Sequence, residues 1–243
     1  SLMNVPIILA AAAANSDPEM MAIWRNATPE GKAIIFILVA FSLLAWSVMG
    51  AKAIEMRRAA KMNHYFNEEF DRQKNVLAIY ERNVDVEGCP NYTVYKAGSA
   101  ELQTRLKNSK KPGEVSLKAM EHIKRTLERT VAEESLKLES GLIFLAIAVS
   151  GAPFLGLLGT VWGVMSAFSY VAMKGTADLA TMAPGVSAAL ITTVAGLLVA
   201  IPSMFGYNWL VHHLRVLTVE LDNYAQDLVS KMETEFVKED GDL

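Results

Sequence analysis

The sequence predicts an all-α integral membrane protein with three transmembrane helices, spans two and three extended into a cytoplasmic helical bundle. Three observations predict it. First, the positive charge is in one block: of 23 Lys and Arg residues, 17 lie between Lys52 and Lys137. Second, residues 33–51, 140–173 and 179–214 contain no Asp, Glu, Lys or Arg, and a helix needs only ~20 apolar residues to cross the hydrocarbon core. Third, the 243 residues are 52% hydrophobic but only 8% aromatic, with a mean hydropathy of +0.24. A chain rich in Ala, Gly and Met suits closely packed helices better than a β-rich core.

The same composition excludes other classes. A net charge of −3 is wrong for a generally basic nucleic-acid binder, and the apolar content is far too high for disorder. The single cysteine, Cys89, forbids an intrachain disulfide and cannot build a Cys-rich metal site. No cofactor, metal or nucleic acid is expected.

In chain order, residues 1–32 read as a periplasmic N-terminal segment. Residues 5–14 are apolar, but no basic residue precedes them and the run is too short to span; they read as a helix or tail on the membrane surface. Residues 33–51 form span one. Lys52, Arg57, Arg58 and Lys61 follow it closely, so the positive-inside rule places the N-terminus outside and the long connection inside. That connection, 52–139, reads as helix, loop, helix. Met56, Ala59, Ala60, Met62, Phe66 and Phe70 recur at helical spacing within a helix over 53–80. Gly88, Pro90 and Asn91 mark a turn within 85–98, and Lys110-Lys111-Pro112-Gly113 marks a second break. A helix restarts at Val115, with Leu117, Met120, Ile123, Leu127 and Val131 on one stripe, and runs to Ser140 without a breaker.

Residues 140–173 are too few for two crossings, which take ~40, so they form span two with surplus length that continues beyond the bilayer. Residues 174–178 make a short external loop, and residues 179–211 form span three. Residues 212–243 form a cytoplasmic helix and an acidic tail. Leu214, Leu217, Leu221, Tyr224 and Leu228 follow heptad intervals there. The tail's acidity does not contradict its placement, because Asp and Glu carry little weight in orientation.

Two intramembrane motifs carry the chemistry. Span two holds Gly156-Leu-Leu-Gly159-Thr160-Val-Trp-Gly163, with Gly156, Thr160, Gly163 and Ala167 on one face and Gly159–Gly163 as a GxxxG pair. Span three holds Pro184-Gly185-Val-Ser187, then Thr192-Thr193 and Gly196, with Ala189, Thr193, Gly196 and Ala200 on one face. Small residues let helix backbones approach where lipid supplies no hydrophobic drive. Gly156, Gly159, Gly163, Pro184, Gly185 and Gly196 are therefore the expected packing residues. Neither span contains a carboxylate or an amine, although a proton relay normally needs an ionisable group near mid-bilayer. Any titrating acid must come from another chain, leaving this one as a polar-lined sleeve.

These motifs, with Ala200-Ile-Pro202 and Tyr207-Asn208, resemble the MotA/TolQ/ExbB family, and the three-span layout is closest to ExbB and TolQ. The resemblance implies an ion-driven motor unit of the bacterial inner membrane. It implies a homo-oligomer, a pentamer, enclosing a dimer of a single-span ExbD/TolR-like protein that supplies the titrating Asp. A periplasm-spanning TonB/TolA-like protein would receive the motion. Thr160 and Thr193 match the family threonines beside the ion path, and the neighbouring Ser187 and Thr192 are further candidates. The sequence departs from the family at Ala188, where ExbB and TolQ usually carry a glutamate.

Blander readings stand beside this one. Membrane threonines commonly bond a carbonyl of their own helix one turn back. His212-His213 suits solvated or dipole-capping histidines better than a metal site. In function, the rivals are a passive scaffold of a cell-envelope complex and a MotA-like stator subunit. Nothing in the sequence suggests an enzyme.

Overall fold

A computed structural model describes residues 21, 23–175 and 178–237. The apolar run at 5–14 lies outside the described residues, as does the end of the acidic tail. Among the described residues the helices run in the order α1 (Pro29–Asp71), α2 (Ala78–Glu81), α3 (Pro90–Lys107), α4 (Leu117–Glu139), α5 (Leu142–Lys174) and α6 (Leu179–Phe236). Three of them, α1, α5 and α6, are long and apolar enough to cross a membrane. The protein is an all-α, multi-pass membrane protein.

Local chemistry sets the helix ends. α1 starts where Thr28 accepts the Gly31 amide at 3.1 Å with Pro29 as its first helical residue, whose missing N–H would have been an orphan anyway. α4 starts at Ser116, whose hydroxyl accepts from the Ala119 amide at 3.2 Å. α3 starts at Pro90, inside the stretch expected to be a turn, so the loop is shorter than expected and its proline opens a helix. Its cap is supplied from another element: Asn63 Oδ1 on α1 accepts the Asn91 amide at 3.0 Å.

The expected uninterrupted run from Val115 into span two is broken. α4 ends at Glu139, and Gly141 adopts φ +87° before α5 begins, a left-handed conformation that favours glycine. The extension of span two is thus a separate helix, while α6 alone is continuous over 58 residues. α1 likewise runs without interruption to Asp71 and stops short of the expected end near Tyr80.

The chain forms two units, one built from residues 1–49 and 143–207, the other from 50–142 and 208–243. In the first, Ile34 and Leu38 of α1 pack with Ala152 of α5 and Ala200 of α6. Many of its large apolar side chains, among them Phe36, Leu43, Trp46, Phe154 and Phe205, are exposed. Outward-facing bulk and inward-facing small residues are what a lipid solvent selects.

The second unit has an ordinary inward core. Phe66 and Phe70 of α1, Tyr92 and Tyr95 of α3, Ile123 and Leu127 of α4 and Leu221, Tyr224 and Leu228 of α6 are all buried in it. Of the expected stripe on α4, Met120, Ile123, Leu127 and Val131 face this core, but Leu117 is 71% exposed because it occupies the first, uncovered turn. Tyr95 fastens the 72–80 connection: its hydroxyl donates to Val76 O at 2.7 Å and accepts the Tyr80 amide at 2.9 Å. Lys52, expected only as a topology marker, is buried, with Nζ 2.7 Å from Glu55 and 3.2 Å from the Leu138 carbonyl near the end of α4.

Candidate functional site

The site begins with backbone contact between α5 and α6. A Cβ built on Gly196 would lie 2.5 Å from the Ala152 carbonyl oxygen and 3.1 Å from Gly156 Cα; one on Gly156 would lie 2.7 Å from the Thr192 carbonyl oxygen. Farther along, a Cβ on Gly159 would meet Thr192 Oγ1 at 2.5 Å, one on Gly163 would meet Ala189 Cβ at 2.6 Å, and one on Gly185 would meet Ala167 Cβ at 3.2 Å. Five of the six expected packing residues therefore lie along one antiparallel contact. The sixth, Pro184, is exposed within α6.

This closeness joins three hydroxyls from two helices. Thr160 Oγ1 on α5 is 2.5 Å from Thr193 Oγ1 and 3.4 Å from Thr192 Oγ1, and it donates to the Ala189 carbonyl at 2.9 Å. Thr192 reaches the Gly156 carbonyl at 2.9 Å and the Ala189 carbonyl at 2.7 Å. Thr193 reaches Gly156 O at 3.3 Å. The bland reading, a threonine bonded one turn back in its own helix, describes only part of this: Thr160 does reach Gly156 O at 3.3 Å, but its shorter bonds cross to α6.

Adjacent residues on a helix point about 100° apart, and the threonine pair shows the consequence. Thr192 is 1% exposed, beneath Gly159, whereas Thr160 and Thr193 are half-buried. Ser187 is exposed on α6, and among the described residues no hydrogen bond links it to the three threonines. Ala188, at the place of the usual family glutamate, is buried at 4% exposure. A carboxylate at that position would be taken out of water, which is costly without a partner.

Comparison with known proteins bears directly on this geometry. The model of the MotA/TolQ/ExbB proton channel family matches residues 93–223, more than half of the chain, and covers both motifs. The chain belongs to the MotA/TolQ/ExbB proton channel family. It is 34% identical over 192 residues to the Tol-Pal system protein TolQ of Pseudomonas aeruginosa, covering 78% of this chain and 81% of that one. It is 32% identical over 194 residues to the TolQ of Haemophilus influenzae, covering 78% and 82%. It is 41% identical over 113 residues to the biopolymer transport protein ExbB of Xanthomonas campestris pv. campestris, covering 46% of this chain and 45% of that relative. The MotA/TolQ/ExbB family is a channel family, not an enzymatic one.

One contributor had gone unrecognised in the sequence. Ala152 brings its carbonyl against Gly196, and it stands four residues before Gly156, in register with the small-residue face already evident there. Thr192 had the opposite problem: read as a lining candidate, it is the hydroxyl enclosed between the helices.

Proposed function

We propose that this chain is the ion-conducting subunit of an ExbB/TolQ-type motor in the bacterial inner membrane, using a proton or sodium gradient to do mechanical work on the cell envelope. One observation carries the reading: the half-buried Thr160–Thr193 pair sits at the close α5–α6 contact of a membrane unit that has no carboxylate or amine in its spans. In this reading Thr160 and Thr193 line the path and Ser187 extends it. Thr192, enclosed as it is, holds α5 and α6 together and supports the other two.

The titrating carboxylate is an Asp on a dimer of a single-span ExbD/TolR-like protein, enclosed by five copies of this chain. A TonB/TolA-like protein that spans the periplasm takes up the motion. By the distribution of Lys and Arg, the N-terminal segment and the 174–178 loop are periplasmic, while the 52–139 connection and the C-terminal helix are cytoplasmic.

The test is ion flux in liposomes holding this chain with its single-span partner. Thr193→Val keeps the volume nearly constant and removes the hydroxyl; flux should fall while the complex still assembles, and Thr193→Ser should restore it. Undiminished flux in Thr193→Val removes Thr193 from the path. A robust proton current from this chain alone would overturn the division of labour.

One observation favours a second reading. All three hydroxyls already have backbone partners, as expected of a passive scaffold whose threonines only lock helices. Collapsing the ion gradient separates the two: a scaffold keeps working and a motor stalls.

A further inference from the structure

Thr192 is enclosed by glycines on two neighbouring helices. On α5, a Cβ at Gly159 would stand 2.5 Å from Thr192 Oγ1 and 3.0 Å from its Cγ2 methyl. On α1, a Cβ at Gly31 would lie 3.9 Å from the same methyl and 3.3 Å from Thr28 Oγ1, the hydroxyl that accepts the Gly31 amide. The contact belongs to a packed seam. Gly31, Ile34, Leu38 and Ala45 are all buried, and their spacing puts them on one face of α1. Ile34 and Leu38 pack with Ala152 of α5 and with Ala195, Val199 and Ala200 of α6. Gly31 against Thr192 is the step of this seam nearest the start of α1.

The two γ atoms of Thr192 therefore have different surroundings. The hydroxyl reaches Gly156 O at 2.9 Å and Ala189 O at 2.7 Å, and it lies 3.4 Å from Thr160 Oγ1. The methyl lies between Gly159 and Gly31. A threonine in a helix chooses between two χ1 rotamers, and rotation about χ1 would carry the hydroxyl out of this bonding position. Gly31 leaves room for the methyl and little more. A Cβ there would already be in ordinary van der Waals contact with it, so any side chain larger than alanine must displace Thr192 or α1 itself.

We propose that Gly31 of α1 is a positioning residue for the ion path: by bounding the Thr192 methyl, it keeps the Thr192 hydroxyl turned toward Thr160 and the Gly156 carbonyl. The threonine cluster then depends on three helices, although its hydroxyls come from α5 and α6 alone. The role rests on the reading of Thr160 and Thr193 as the lining of that path.

The test is ion flux in liposomes holding this chain with its single-span partner. Gly31→Ala should conduct like the parent, because its Cβ stops at contact distance. Gly31→Val carries two further carbons into the seam. Overpacking of this size shifts a rotamer balance by about tenfold, and flux should fall about as much, since it follows the population of the competent arrangement. Thr192→Ser removes the methyl and keeps the hydroxyl, so Gly31→Val combined with Thr192→Ser should recover the flux of Thr192→Ser alone. Undiminished flux in Gly31→Val overturns the proposal. So does a loss of flux or of assembly that Thr192→Ser does not relieve, which places the fault in α1. Methyl NMR reads the contact without flux: the new methyl of Gly31→Ala should show a cross-relaxation peak to a threonine methyl that disappears in Thr192→Ser, and its absence overturns the proposal. Thr193→Val in the same liposomes keeps the two claims apart. If it is impaired while Gly31→Val is normal, the positioning role alone fails; if it conducts normally, the lining fails and this role falls with it.

Discussion

Gly196→Ala adds one methyl group where the structure has no room for it. The new carbon would lie 2.5 Å from the Ala152 carbonyl oxygen, about 0.9 Å short of the 3.4 Å at which ordinary contact begins. The obstacle is backbone on both sides, since Gly156 Cα is only 3.1 Å away, so no rotamer change relieves it. The helices must separate by about an ångström, which carries the Thr160–Ala189 and Thr192–Gly156 bonds, both 2.9 Å, beyond hydrogen-bonding reach and stretches Thr160–Thr193. Interhelical hydrogen bonds in membranes average ~0.6 kcal/mol each, so three contribute about 2 kcal/mol together. Overpacking strain of ~1–3 kcal/mol is the alternative if the helices stay in place. The unfolding equilibrium then shifts by ~30-fold for the lost bonds, or by ~5- to 150-fold for the strain. The assay is reversible unfolding in mixed micelles, with Gly50→Ala as control. A Cβ on Gly50 meets nothing within 4 Å, so that helical substitution should gain ~0.5–1 kcal/mol. If Gly196→Ala proves as stable as Gly50→Ala, the close crossing is wrong, and with it the geometry that joins the threonines.

Other outcomes follow from the same contacts. Gly163→Leu places a large side chain where even Ala189 Cβ is too close, and should abolish assembly on size exclusion. In the second unit, Tyr95→Phe leaves the buried Val76 carbonyl and the Tyr80 amide without their partner, costing ~1–3 kcal/mol. Tyr224→Phe should be neutral or stabilising, because the buried Tyr224 hydroxyl has no partner among the described residues. Lys52→Met should destabilise by ~1–3 kcal/mol, since it removes a charged donor from the Leu138 carbonyl. Burial raises the pKa of Cys89, Tyr95 and Tyr224. The folded state therefore holds these protons longer than the unfolded one, so stability is full below the ordinary thiol and phenol ranges, about 8.5 and 10, and falls as pH rises through them. Alkaline melts that stay flat to pH 11 would refute that burial.

The sequence showed the three spans because a run without charge is a property of composition, visible without coordinates. It showed the two small-residue faces because helical periodicity is regular. What it could not show depends on backbone conformation or on angles between helices. Gly141 looked like one more glycine in an Ala-rich helix, and only its φ of +87° marks it as a break. Pro90 sits in Gly-Cys-Pro-Asn, a stretch rich in turn formers, yet the same proline suits the first position of a helix, and Asn63 decides the matter by accepting the amide of Asn91, 28 residues later. Thr192 and Thr193 are indistinguishable as residues. Their difference appears only when α5 lies across α6 and encloses one of them. Leu117 fits the α4 stripe in spacing, but a helix's first turn is covered only if another element reaches it.

The three hydroxyls have enough partners to be satisfied in two different ways. In one pattern Thr193 donates to Thr160, Thr160 to Ala189 O and Thr192 to Gly156 O, over 2.5, 2.9 and 2.9 Å. In the other, Thr160 donates to Thr193, Thr193 to Gly156 O and Thr192 to Ala189 O, over 2.5, 3.3 and 2.7 Å. Every proton has an acceptor in both. The difference is which half-exposed oxygen receives no bond from within the cluster: Thr193 in the first, Thr160 in the second. Exchanging them needs three hydroxyl rotations and no change of charge. A neutral cluster of this kind can turn a lone pair toward a cation or a water on either side of the crossing without any carboxylate of its own. A valine at Thr193 abolishes the exchange between the two patterns, leaving Thr160 to donate to backbone carbonyls alone, Ala189 O at 2.9 Å or Gly156 O at 3.3 Å. The backbone bonds that favour a scaffold are therefore equally the two end stations of a switchable lining, and ion flux separates them: a lining loses flux in Thr193→Val and regains it in Thr193→Ser, whereas a scaffold shows the same flux with all three residues.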